Sequence, residues 1–256
     1  MKKIMIKAMC FIGCVTMLIP YTQYAKSTHK RTSPGTAIFV MAIPQTEPEI
    51  EEKHIVVQKP EIHLEMRIPQ FKNLQDHTAQ KNLNHLLYTE AHTRKKQILQ
   101  LAKQYNKDLI QDGLAPIVFE YTETYSIIPT IMPYYTVEIN QYQYSGGAHG
   151  ISELSYINWN AETNKLVQIS DLFKKDVDYK QLVNTLVKEE INRREVNGEF
   201  FFSGSDGFQS IQENQPFYID TNGDLIIVFN VYEIAPYASG AIYIRLLSSK
   251  LAPYLN

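Results

Sequence analysis

Tyr134-Tyr135-Thr136-Val137-Glu138-Ile139-Asn140-Gln141-Tyr142-Gln143-Tyr144 runs directly into Ser145-Gly146-Gly147-Ala148-His149-Gly150. The first part is dense in aromatic and β-branched residues and predicts a strand. The glycines then break it, because they permit backbone that other residues resist. Upstream, Ile117 to Ile128 predicts a second aromatic-rich strand, with Pro129 and Pro133 between the two. Before that, Leu83, Leu87, Ala91, Ile98, Leu101, Ala102, Tyr105 and Leu109 recur at three- and four-residue steps, the pattern of a long amphipathic helix. Gly113, with Pro116 just beyond, predicts its end. Earlier still, Val56-Val57 and the alternating His63-Leu64-Glu65-Met66-Arg67-Ile68 read as strand, stopped by Pro69.

Downstream the order partly repeats. Leu154 to Trp159 and Lys165 to Ile169 predict a hairpin turning at Ala161 to Asn164, with Asp171 opening a turn toward the next helix. That helix carries Tyr179, Leu182, Val183, Leu186, Val187 and Ile191 on one face and ends at Asn197-Gly198. Phe217-Tyr218-Ile219, Leu225 to Val231 after the Asn222-Gly223-Asp224 turn, and Ile242 to Leu247 predict closing strands. Strands with segregated helices point to an α+β fold: two subdomains, 53–150 and 151–256, with antiparallel sheets each carrying a packed long helix.

The 256 residues are 44% hydrophobic and 20% charged with only 11 Gly and 12 Pro, which excludes collagen-like, disordered and multi-span membrane classes. The formal charge of −2 hides an asymmetry. Lys2, Lys3, Lys7 and Lys26 lie in the first 27 positions, where there is no acid, and without them the chain is distinctly acidic. Both cysteines, Cys10 and Cys14, fall there too. Three lysines, an apolar run from Ala8 to Ile19 and the small residues of Ala25-Lys26-Ser27 make a secretory signal peptide over 1–27. The run is too short for a hydrocarbon core, which needs about 20 residues. Phe11-Ile12-Gly13-Cys14 also resembles a lipoprotein box, so acylation at Cys14 and an uncleaved anchor stay open as routes to a membrane. Residues 28–52 read as a linker, with Ala37 to Ile43 as a possible edge strand. A chain processed after Ser27 has no cysteine, hence no disulfide or thiolate chemistry.

Two loops carry the candidate site. In Tyr142 to Gly150, Tyr142, Tyr144, Gly146, Gly147 and His149 are the candidate binding residues; the plainer alternative is a strand corner where two domains meet. The segment lacks the lysine of a phosphate loop and the G-x-S-x-G of a nucleophile elbow. In Val231 to Gly240 the candidates are Tyr232, Glu233, Pro236, Tyr237 and Gly240. Glu233 is the one partner to name for His149 as an acid/base pair, against a structural role capping backbone amides. There is no HExxH, so neither a metal nor a cofactor is expected. Abundant tyrosines on strands pack sheets first, and on an exported protein also make binding or glycan-stacking surfaces. An acidic chain argues against nucleic acid and favours a basic partner.

The strand ending at Pro69, Phe71-Lys72-Asn73-Leu74, Asn82-Leu83-Asn84, Gly146-Gly147-Ala148-His149, Ser170-Asp171-Leu172-Phe173 and Tyr232-Glu233-Ile234-Ala235-Pro236-Tyr237-Ala238-Ser239-Gly240 together resemble the paired extracytoplasmic domains of unknown function in bacterial envelope proteins. Such domains occur in RsiV-type anti-sigma factors, which sense lysozyme, and in PdaC-type peptidoglycan deacetylases. The resemblance covers about Lys53 to the C-terminus. It departs in lacking a sigma-binding segment and a deacetylase domain, so no catalytic residue carries over. What it implies is a non-enzymatic, secreted or surface-tethered binding or sensory module for lysozyme, another basic envelope protein or peptidoglycan. A cell-wall hydrolase using His149 and Glu233, or a purely structural envelope protein, are the alternatives.

Overall fold

The computed structural model describes residues 48–256. The expected signal peptide, Cys14 and the Ala37 to Ile43 run lie outside the described residues. The expected linker over 28–52 is shorter at its C-terminal end, because β1 (Glu49–Lys59) already begins at Glu49.

Six strands form the first sheet in sequential order: β1, β2 (Ile62–Lys72), β3 (Phe119–Ile128), β4 (Tyr134–Tyr144), β5 (Ile151–Asn160) and β6 (Lys165–Leu166). The mixed helix and sheet content is α+β, as expected. Its antiparallel character has one exception: β2 and β3 run parallel, pairing Ile62 with Phe119 through Met66 with Glu123. A parallel neighbour needs a long crossover, and the 35-residue helix α1 (His77–Gln111) supplies it. Pro69 does not stop β2. It lies beyond Met66, the last partner of β3, where β2 is paired with β1 alone and a missing N–H is tolerated.

Helix α1 starts at Asp76, whose carboxylate accepts from the amides of Thr78 and Ala79. It ends in Gly113 at φ 75°, with the Leu114 amide returned to the Leu109 carbonyl at 2.8 Å. Its buried stripe differs from the apolar periodicity. Leu101 and Tyr105 are 42% and 40% exposed, whereas Arg94 and Asn106 are buried. Each of these polar residues finds a partner on or just before β3, although the Arg94 Nη1 has no hydrogen-bond partner: Asn106 exchanges two hydrogen bonds of 2.8 Å with the Ile117 backbone. Arg94 grips Glu123 with two bonds of 2.7 Å. Tyr121 adds a third donor to that carboxylate at 3.0 Å. Burial, the largest single influence, opposes the charge on Arg94, but Glu123 with Tyr121 and Glu90 outweighs it and holds the guanidinium above its ordinary pKa. Around this clamp, Leu64, Met66, Val137, Ile139, Ile157 and Trp159 pack with Leu83, Leu87 and Ile98.

The second lobe is a three-stranded antiparallel sheet, β7 (Phe217–Ile219), β8 (Leu225–Phe229) and β9 (Ile242–Leu246), against α2 (Tyr179–Val196). Val183, Val187 and Ile191 bury against Phe217, Ile227, Phe229 and Ile244. Asp178 caps α2, while Asp171 instead accepts from the Gln168 amide in a preceding single turn.

The expected division at Gly150 falls inside the first sheet, because β5 pairs with β4 from Ile151 to Asn160. Strand β5 is shared between the lobes. Ile157 and Trp159 belong to the core under α1. Asn158 takes a hydrogen bond from Thr136 and donates at 2.8 Å to the Phe217 carbonyl of β7.

Candidate functional site

The chain leaves β4 at Tyr144 and reverses through Gly146 and Gly147, both with left-handed backbone at φ 94° and 96°. The Tyr144 hydroxyl donates to the Gly147 carbonyl at 3.1 Å and closes the turn. At Gly150 a Cβ would lie 2.5 Å from the Tyr142 ring, so any larger residue there requires that ring to move. The Tyr142 ring packs against Gly150 as the chain enters β5, with His149 exposed at the bend.

The second loop follows β8. Asn230 reaches back to β5, accepting from the Leu154 amide at 2.7 Å and donating to the Leu154 carbonyl at 3.1 Å, which fastens this loop to the first sheet. The Glu233 carboxylate accepts from the Asn230 amide at 2.7 Å and from the Gln215 side chain at 3.0 Å. Gln212 adds a longer contact of 3.4 Å. Burial raises the pKa of Glu233, and these donors only partly offset it. Buried Ile234 and Ala235 anchor the loop below. Pro236 leads into a single turn over Tyr237–Ser239, and Gly240 at φ 67° exits toward β9.

The two loops meet. The His149 ring lies 4.9 Å from that of Tyr237, and Tyr237 lies 5.5 Å from Tyr232, each pair tilted by about a third of a right angle. Tyr232 and Tyr237 are 45% and 43% exposed. Tyr232 stands at φ 66°, a backbone region that costs a bulky residue about 1–3 kcal/mol and is kept only where the surroundings impose it. His149, Tyr237 and Tyr232 thus form one surface strip, with Tyr142, Tyr144, Gly146, Gly147, Pro236 and Gly240 shaping the backbone beneath. Glu233 has a different place. Its oxygens are engaged by the Asn230 amide and by Gln215 from the segment before β7, and the Nδ1 of His149 sits 2.9 Å from the Gly150 carbonyl.

Three residues of this region escape sequence reading. Asn230 and Gln215 look like ordinary loop polars, and only their long-range bonds reveal their role. Tyr156 is the third: its hydroxyl donates to Glu138 at 2.6 Å, and its ring stacks on Tyr218 of β7 at 5.3 Å. Burial first, and then Glu138, push the Tyr156 hydroxyl pKa well up. Among the described residues, no three His, Cys, Asp or Glu side chains group as metal ligands.

Residues 55–152 match the family described as deacetylase PdaC, and residues 170–247 match the DUF3298 family, described as a protein of unknown function. The chain pairs a PdaC-type domain with a DUF3298 domain. His149 lies in the first and Tyr237 in the second, so the aromatic strip joins the two domains. A DUF3298-family protein of Bacteroides fragilis shares the fold with a TM-score of 0.63 at 20% identity, over 83% of this chain and 96% of that one. A DUF3298-family protein of Pseudomonas aeruginosa does so with a TM-score of 0.53 at 14% identity, over 84% and 95%. No curated protein matches the chain significantly. No helix among the described residues is long and apolar enough to cross a membrane.

Proposed function

We propose that the chain is an exported, non-enzymatic binding module of the bacterial envelope that recognises lysozyme or cell-wall glycan where its two domains meet. The observation that carries this reading is the contact of His149 with Tyr237 and of Tyr237 with Tyr232 across the two loops. Aromatic rings with few rotatable bonds bind at low entropic cost, and their faces suit sugar rings as well as protein side chains. The left-handed Tyr232 supports it further, since strained backbone concentrates at functional sites. Export rests on the lysines and apolar run of residues 1–27. The hydrolase alternative has less support, because a general acid must reach its substrate and Glu233 spends its oxygens on Asn230 and Gln215. Retention on immobilised lysozyme and co-sedimentation with insoluble peptidoglycan test the reading. The chain is expected to be retained by one of them, and Tyr237→Ala to lose that retention while still folding.

A further inference from the structure

Charge is strongly segregated in this molecule. Residues 48–256 hold nineteen basic and twenty-six acidic side chains, yet α1 alone carries six basic residues against Glu90 and Asp108. One basic residue, Arg94, is consumed by the buried clamp to Glu123. His92, Lys95, Lys96, Leu99 and Lys103 follow one another at helical steps and share a face. With Lys59 and Glu61, from the turn between β1 and β2, they line an open groove of about 410 Å³. Among the described residues, none of Lys59, Lys95, Lys96 or Lys103 has an ion-pair partner, whereas Lys72 and Lys250 are paired with Glu51 and Glu189. Holding like charges together costs free energy, and Glu61 is the one carboxylate among four lysines in the lining, so the groove is matched to a ligand that brings further negative charge.

We propose that this groove binds a linear phosphate-bearing polyanion. Lysines act as compact point charges suited to phosphate, and the groove offers no arginine fork for planar carboxylates. Its concave form, between a helix and a hairpin turn, accepts a chain rather than the flat plane of a bilayer. Lys96 and Lys103 stand about two helical turns, roughly 10 Å, apart, so successive charges of a polymer can be held at once. The groove is separate from the aromatic strip. It lies on the α1 side of the first sheet, to which Ile157 and Trp159 of β5 contribute their core side chains. The DUF3298 domain is bonded instead to the intervening Asn158 and to Leu154.

Fluorescence anisotropy with labelled medium-chain polyphosphate tests this, using the whole chain, the Lys95→Glu/Lys96→Glu variant and a control variant, Lys180→Glu/Lys188→Glu, on α2. Parallel sedimentation with phosphatidylglycerol vesicles provides the second arm. The expected result is binding that weakens steeply with salt, as counterion release requires, and an affinity loss of about tenfold or more in the groove variant alone. Circular dichroism should show both variants folded. Absence of polyphosphate binding, an equal loss in the control, or tighter association with the vesicles than with polyphosphate would each overturn the proposal.

Discussion

Asn230 of the DUF3298 domain holds both backbone groups of Leu154 in β5, accepting at 2.7 Å and donating at 3.1 Å. One side chain therefore ties the loop that carries Tyr232 and Tyr237 to the strand that follows His149. Since Glu233 in turn accepts from the Asn230 amide, loop shape and domain docking are set by the same few polar contacts.

Asn230→Ala should cost about 1–3 kcal/mol, because the Leu154 amide and carbonyl lose their partners in a part-buried position. Urea denaturation measures it. The same variant should bind ligand less well than a surface change of equal stability cost, since the aromatic strip loses its fastening.

Gly150→Ala should destabilise by about 1–3 kcal/mol through overpacking against the Tyr142 ring. The double variant Gly150→Ala/Tyr142→Leu should recover part of that loss, as read by thermal unfolding. No recovery would mean that the backbone, not the ring, sets the requirement.

Arg94→Ala should be the most damaging single change on α1, about 3–5 kcal/mol, because it strands the Glu123 carboxylate without its counter-charge in the core. Arg94→Met/Glu123→Leu should be far milder, because replacing both charges removes the desolvation cost along with the attraction. Chemical denaturation of the two variants separates these outcomes.

Glu233 gives a pH signature. Burial raises its pKa above the ordinary 4.5. The protonated form is therefore favoured in the folded state, so this contribution to stability is full below the unfolded pKa and lost as pH rises through the folded one. Glu233→Gln removes the titration. The stability of the native chain relative to Glu233→Gln should rise between about pH 7 and pH 4 when followed by urea denaturation. A difference that stays flat or moves the other way would contradict this.

Much of the fold is legible in the residues themselves. The run from Tyr134 to Tyr144 is a strand over its full length, and α1 ends at Gly113 as glycine there requires. The parallel β2–β3 pair is less legible, since local pattern reports strand and helix but not which strands become neighbours. Arg94 and Asn106 break the apolar stripe because tertiary partners, Glu123 and the Ile117 backbone, make polar burial affordable there. At the site, glycine and tyrosine crowding marks both loops, and the structure brings His149 to Tyr237. The role of Asn230 depends on Leu154, 76 residues away, and no local signal reports such a distance.

Ligand retention by Tyr237→Ala is the most direct test of the proposed binding surface. At micromolar protein, the native chain should be held by immobilised lysozyme or by insoluble peptidoglycan, and Tyr237→Ala should lose about tenfold in affinity with little change in unfolding temperature, as an exposed aromatic anchor does. Failure of the native chain to bind either ligand, or undiminished binding by Tyr237→Ala, would contradict the account.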